Sequence, residues 1–218
     1  GIKYSKQFKN PKEIDCLCLI KVQEKTRNFE RAFFLAENYQ DYKKQIDAKL
    51  KQGIFTEEQL GQAVIEEFIV GVQVNFNFFY SPIPDRLELL GTDMRRQTNI
   101  EGLLKIPSSY QTEVSKKISV KYEEAGHIAV TVLESMLEKA FELGERFVKT
   151  SQELFVPGII GPFALQSIIT AGPPKKDIVV IDISPRMPGS PGISSTPYSG
   201  YLYGEPVSVG QRVAMEIK

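Results

Sequence analysis

Two apolar runs near the C-terminal end of the chain, GPFALQSIIT and DIVVIDIS, are separated only by AGPPKK. Runs of this length, rich in Ile and Val and bounded by Gly and Pro, read as the two strands of a hairpin. If the turn is centred on Pro174, Gln166 and Asp182 are equidistant from it. They then stand opposite each other and point to one face. A neutral amide beside a carboxylate on an otherwise apolar hairpin has two explanations: the face meets water, or it is a metal or phosphate site. The second strand runs into a stretch of Pro, Gly, Ser and Tyr and then into PVSVGQRVAMEIK, where Ser208 can cap a helix. Bounded by a strand and a capped helix, and carrying Tyr198, Tyr201 and Tyr203, this stretch is expected to be an ordered loop rather than a tail.

The rest of the chain reads as α+β, with no internal repeat. Residues 14–22 and 32–36 are expected as strands, and 38–52 as a helix opened by Asn38 and closed before Gly53. TEEQ, beginning at Thr56, is a capping box that opens another helix reaching Gly61. Residues 63–69 read as a strand. VQVNFNFFYS alternates as a half-buried strand, and residues 86–93 pair with it through a turn at Pro82-Ile83-Pro84. The longest helix is expected over 131–155, with an apolar stripe of Leu133, Met136, Leu137, Ala140, Phe141 and Phe147.

Composition excludes some partners. Basic and acidic residues balance to a formal net charge of zero, which argues against nucleic acid or an anionic membrane as a chain-wide electrostatic partner. No apolar run approaches a membrane span, and no charged-then-apolar signal segment is present. Cys16 and Cys18 lie too close in sequence for a disulfide and are expected as small buried residues. With one histidine, His127, there is no Cys/His zinc set, and His127 is expected to be structural. The chain opens at Gly1 and stops inside an expected helix, so it is read as part of a longer protein.

Several blocks in order, VIEEFIVGVQVNFNFFYSP, LGTDMRRQTN, ESMLEKAFELGERFVK, GPFALQ, IDISPR, TPYSGYL and PVSVGQRVAMEIK, resemble the archaeal PurP family. These are ATP-grasp enzymes of purine (IMP) biosynthesis, and the resemblance covers nearly the whole chain. It implies two mixed α/β lobes with mostly antiparallel sheets: part of a small lobe over 1–69 and a large lobe over 70–218, with an N-terminal domain lacking. It implies a ligase that uses ATP and Mg2+ to join formate to aminoimidazole carboxamide ribonucleotide through formyl phosphate, without a protein nucleophile. Lys21 would meet the phosphates of ATP, and Glu66, Glu67, Phe68 and Ile69 would line its adenine and ribose. Arg95, Arg96, Asn99, Glu134, Ser135 and Tyr198 would hold the ribonucleotide. Gln166 and Asp182 stand where the family binds metal, and Arg186 with Asp182 would act at the phosphoryl group. Such an enzyme is expected in the cytoplasm, as a homo-oligomer.

The chain departs from the family pattern at several places. VQEKTRNFERAFFLA, where the family has a Gly-rich loop over the triphosphate, contains no glycine. The first metal-binding glutamate of the family corresponds to Gln166, the second to the shorter Asp182, and an arginine to Leu133. RMPGSPGISS has no counterpart of the family's loop asparagine. Two further readings therefore stand beside the ligase: a non-catalytic nucleotide-binding paralogue or regulatory subunit, and another ATP-grasp carboxylate–amine ligase.

Overall fold

A computed structural model describes residues 1–22, 33–118, 123–172, 175–187, 189 and 198–217. The chain forms two compact units: one of Ser5–Ile69 and Gln97–Glu124, the other of Gly1–Tyr4, Val70–Arg96 and Ala125–Lys218.

The first unit carries an antiparallel sheet of β1 (Gln7–Phe8), β2 (Cys18–Lys21), β3 (Phe33–Ala36) and β4 (Val64–Glu67), in the order β1-β4-β2-β3. Between β3 and β4 lie α1 (Tyr39–Lys51) and α2 (Glu57–Leu60). Both begin where local chemistry says they must. The Asn38 side chain accepts the Asp41 N–H at 2.9 Å. At Thr56 the box is reciprocal: its hydroxyl accepts from Gln59 N–H and the Gln59 side chain accepts from Thr56 N–H. One face of the sheet, Cys18, Ile20, Phe34, Ala36 and Ile65, packs with Tyr42 and Phe55 into a core. Cys16 and Cys18 are free, and burial pushes the Cys18 thiol up to about 12, as befits an inert core residue. Strand β2 is shorter than the expected 14–22, since its pairing with β3 and β4 runs only from Cys18 to Lys21. Two helices of this unit, α3 (Thr98–Leu104) and α4 (Ser108–Ser115), were not expected from the sequence. Neither buries a residue, so neither has an apolar stripe to read.

The second unit is built on a sheet of β5 (Val72–Ser81), β6 (Arg86–Gln97), β7 (Glu124–Ala129), β8 (Gly161–Thr170) and β9 (Asp177–Ser184), in the order β7-β6-β5-β8-β9. Across one face runs α5 (Glu134–Leu154); beyond β9 come α6 (Tyr198–Tyr203) and α7 (Val209–Ile217). Val74, Phe76, Phe78 and Tyr80 of β5 face α5 and pack on Met136, Ala140, Leu143 and Val148. Gly144 allows the close approach: a Cβ there would lie 2.7 Å from Leu87 Cδ2. Leu133, expected in the stripe, is 56% exposed, because it precedes the first turn and lies outside the helix's repeat. Strand β5 is not half-buried either. Its other face is covered as well, around Phe79, where α7 brings Val209 and Val213 against Phe79 and Leu90. Helix α7 starts at a second reciprocal cap, between Ser208 and Gln211. It is anchored by Arg212, which lies over the Phe79 ring and pairs with the buried Glu88 at 2.6 Å.

Two register shifts decide what this sheet presents. On β6 the pairing shifts at Leu90, so that Asn77 pairs with Gly91 and Asn75 with Asp93. On β9 it shifts at Ile181: Ser167 pairs with Val180 but Gln166 with Asp182. Without the extra residue, the register beside each turn would set Thr92 opposite Asn75 and Ile181 opposite Gln166. A one-residue shift exchanges the two faces of a strand, and here each shift turns a carboxylate onto the face away from α5.

Candidate functional site

The result is a row of polar side chains across four neighbouring strands: Asp93, Asn75, Gln166 and Asp182, each paired in register with the next. At strand spacings of about 4.8 Å the row is roughly 14 Å long. His127 of β7 joins it at the Asp93 end, and Asn77 and Ser184 flank it.

The two ends differ in kind. At the β6 end Asp93 is 1% exposed, Asn77 1% and Asn75 5%. Asp93 accepts from Asn75 Nδ2 at 2.9 Å and from Asn77 Nδ2 at 2.6 Å, and its Oδ2 is also held by His127 Nδ1. The amide oxygens of Asn75 and Asn77 are buried without a hydrogen-bond partner among the described residues. A buried carboxylate needs donors, and here three surround it. At the β9 end the pair is open: Asp182 is exposed and Gln166 half-buried. Gln166 Nε2 donates to Asp182 Oδ2 at 3.0 Å and to Ser184 Oγ at 2.9 Å, while Asp182 Oδ1 accepts the Ile183 N–H at 2.9 Å.

Sequence reasoning found the second end and missed the first. The signal for it was present in VNFNF, where amides occupy alternate positions of a strand otherwise made for burial. His127, expected to be structural, bonds to Asp93 through Nδ1.

The residues named from the family pattern fall in both units. In the first, Lys21 ends β2 on the face away from the core and forms an ion pair with Glu66, which is 5% exposed. Glu66 and Glu67 end β4; the Phe68 N–H donates to Leu17 O at 2.8 Å, and Ile69 closes the segment. Asn99 lies in the first turn of α3. In the second unit, Arg95 and Arg96 are half-buried on β6, which runs past the expected end at Asp93 to Gln97. Glu134 and Ser135 are exposed at the start of α5. Arg186 is exposed beyond β9 and donates to Met187 O at 3.2 Å. Tyr198 is buried, its hydroxyl accepting the Val132 N–H at 3.0 Å. The glycine-free stretch over 23–32 and most of the Pro/Gly/Ser loop, 188 and 190–197, lie outside the described residues.

The hairpin pair does not fit a divalent cation as it stands. The Gln166 amide turns its N–H groups to Asp182 and Ser184, and N–H groups do not ligate cations. Among the described residues no three His, Cys, Asp or Glu side chains gather into a metal-binding set.

Known proteins resemble this chain over most or all of its length. A family model described as "Domain of unknown function (DUF1297)" matches residues 41–218. The 5-formaminoimidazole-4-carboxamide-1-(beta)-D-ribofuranosyl 5'-monophosphate synthetase of Methanocaldococcus jannaschii is 37% identical over 220 residues, covering 100% of this chain and 59% of that protein. The chain thus spans about three-fifths of the length of the curated relatives it matches. The crystal structure of an IMP biosynthesis protein PurP from Thermococcus kodakaraensis superposes with a TM-score of 0.64 at 28% identity, over 100% of this chain and 59% of that one. An ATP-grasp superfamily protein from Archaeoglobus fulgidus matches at 12% identity and a TM-score of 0.50, over 95% of this chain and 50% of that one, a likeness of fold alone. The fold is the α+β ATP-grasp fold, and the resemblance to PurP read from the sequence holds over the whole chain.

Proposed function

The chain belongs to the DUF1297 family, and from that premise we propose that it is the larger part of an ATP-dependent ligase that formylates aminoimidazole carboxamide ribonucleotide with formate. The observation that carries this reading is whole-chain similarity, at 37% identity, to a protein named as the synthetase of the formylated product. In the proposed reaction a formate oxygen attacks the γ-phosphorus of ATP and ADP leaves. The ribonucleotide amine then attacks the formyl carbon, phosphate leaves, and the amine's proton passes to phosphate or solvent. Chemistry of this kind rests on positioning and on charge stabilisation at phosphoryl oxygens.

The roles assigned to this chain's residues follow the same reading. Lys21 serves the phosphates of ATP, releasing Glu66 when nucleotide binds, and Glu66, Glu67, Phe68 and Ile69 serve its nucleoside. Arg95 and Arg96 suit a ribonucleotide phosphate, since guanidinium groups bind such oxyanions bidentately; Asn99, Glu134 and Ser135 complete that set. Arg186 and Asp182 serve the transferring phosphoryl group. Tyr198, buried and tied to Val132, serves the substrate by fixing the entry to α5. We assign the Ser5–Ile69 unit to the small ATP-grasp lobe and the Val70–Arg96 unit to the large one. No helix among the described residues is long and apolar enough to cross a membrane; a cytoplasmic homo-oligomer is part of the proposal.

Gln166 supports a second reading, that of a nucleotide-binding paralogue without turnover, because a charge is lacking where the family places one. Phosphate release by the full-length protein with ATP, formate and the ribonucleotide separates the two. Release that requires all three supports the ligase. Nucleotide binding with no release under any combination supports the paralogue, and release with another carboxylate in place of formate moves the assignment to a different ligase of this fold.

A further inference from the structure

We propose that in this chain the Gln166 amide takes the place of a divalent cation at Asp182, so that the ligand-free protein holds no metal ion at the hairpin. The inference rests on the ligase reading only for the meaning of the position; the chemistry of the position is its own.

The orientation of the amide is decided by its neighbours. Both hydrogens of Gln166 Nε2 have acceptors, Asp182 Oδ2 at 3.0 Å and Ser184 Oγ at 2.9 Å. Turning the amide over would set its oxygen against a carboxylate oxygen at 3.0 Å and remove the bond to Asp182, whereas the Ser184 hydroxyl bonds equally well to either end of the amide, so Asp182 decides the orientation. The second oxygen of Asp182 already accepts the Ile183 N–H. Each oxygen of Asp182 therefore has a donor from the protein. An ion binding here would displace those donors and gain one exposed carboxylate. Magnesium sheds its water reluctantly and needs oxygen ligands in near-octahedral array, so this exchange does not favour it. Among the described residues nothing adds to the set: no three metal-ligating side chains gather, and Arg186, four residues on, brings a positive charge to the same end of the strand. The bulge at Ile181 shows that the pairing is built rather than incidental. The register beside the turn would set Ile181, not Asp182, opposite Gln166, and the extra residue restores the amide–carboxylate pair.

The test reads the ion with no nucleotide, formate or ribonucleotide present, so a negative ligase assay leaves it interpretable. Full-length protein is titrated with Mn2+ alone, free Mn2+ being followed by electron paramagnetic resonance, and melting temperatures are measured with and without Mn2+. Wild type and Asp182→Asn are expected to behave alike, with no saturable site through the millimolar range and no metal-dependent change in melting. Gln166→Glu puts two carboxylates in direct register. It is expected to melt lower without metal, to recover with it, and to bind Mn2+ at least about tenfold more tightly than wild type, since each carboxylate adds a full charge beside the ion. Adding Asp182→Asn to Gln166→Glu is expected to remove the gain. Saturable Mn2+ binding by wild type that Asp182→Asn abolishes would overturn the proposal, and this arm needs no variant that endangers folding, because Asp182 is exposed. A Gln166→Glu protein that folds but gains no site would also overturn it, by showing that the hairpin is not an ion position at all.

Discussion

Asp93 is the residue on which the buried end of the row depends. It is 1% exposed and takes donors from Asn75, Asn77 and His127. Removing a buried acceptor leaves its donors desolvated and unpaired, and that loss exceeds the net worth of the bonds themselves. Asp93→Ala is therefore expected to lower the unfolding free energy by about 3–5 kcal/mol in urea denaturation, a cost of the size seen when a buried charged partner is deleted. A loss under about 1 kcal/mol, the net worth of one ordinary hydrogen bond, would mean that water reaches these groups. Asp182 shows the opposite case. It belongs to the same row, yet it is exposed to water, so truncating it is the milder change for stability.

At the scale of elements, strands β6 and β9 each carry an extra residue that changes which side chains the sheet shows. Ordinary hairpin pairing would have turned both carboxylates toward α5. Helix α5 is held to this sheet by more than its apolar stripe. Asp177, the first residue of β9, pairs with Lys139 of α5 and, at 2.6 Å, with Lys3 of the N-terminal segment. Burial alone would push the Asp177 carboxyl up; Lys139, Lys3 and the Ile178 N–H outweigh it and hold it at about 2, against an ordinary 3.8. A carboxyl depressed in the folded state contributes stability that is present above the ordinary value and is lost as pH falls toward the depressed one. Lys139→Met is thus expected to lower the melting temperature near neutral pH. The gap from wild type should narrow as pH falls below 3.8 and close near about 2. A gap that persisted unchanged at the acid end would assign the effect to lost packing of the Lys139 stem.

The whole molecule is not a string of two consecutive lobes. Each compact unit is assembled from separated segments, and the first four residues belong with the second unit. Lys3 O accepts the Val180 N–H at 2.9 Å and Tyr4 bridges to Val180 in parallel, so the chain starts against β9 before it builds the other sheet. A cut at Ile69, natural from the sequence, leaves Gln97–Glu124 on the wrong piece. The first core is drawn from residues 8–65 and α3 and α4 bury nothing, so residues 1–69 produced alone are expected to keep a cooperative thermal transition and dispersed amide resonances. A broad transition in that fragment would show that the first core needs α3 and α4.

What the sequence by itself determined is whatever rests on neighbours along the chain. Asn38, the Thr56 box and Ser208 capped their helices as expected, because a cap bonds side chain to backbone within one turn. The α5 stripe was legible from Met136 to Phe147 because its period lies in the sequence, and Leu133 failed only because it stands one residue before the helix. The family likeness was legible because its blocks keep their order. The pairing of Gln166 with Asp182 was also reached, but through symmetry about Pro174, a residue outside the described ones, whereas the structure reaches it through the bulge at Ile181. Tertiary structure alone decided the second buried face of β5, the length of β6, the cluster around Asp93 and the division into units. Each of these depends on which strand lies beside which and in what register, and register is set by contacts between residues far apart in the chain. Helices α3 and α4 and strand β7 were silent for the related reason that they bury too little of themselves to leave a pattern.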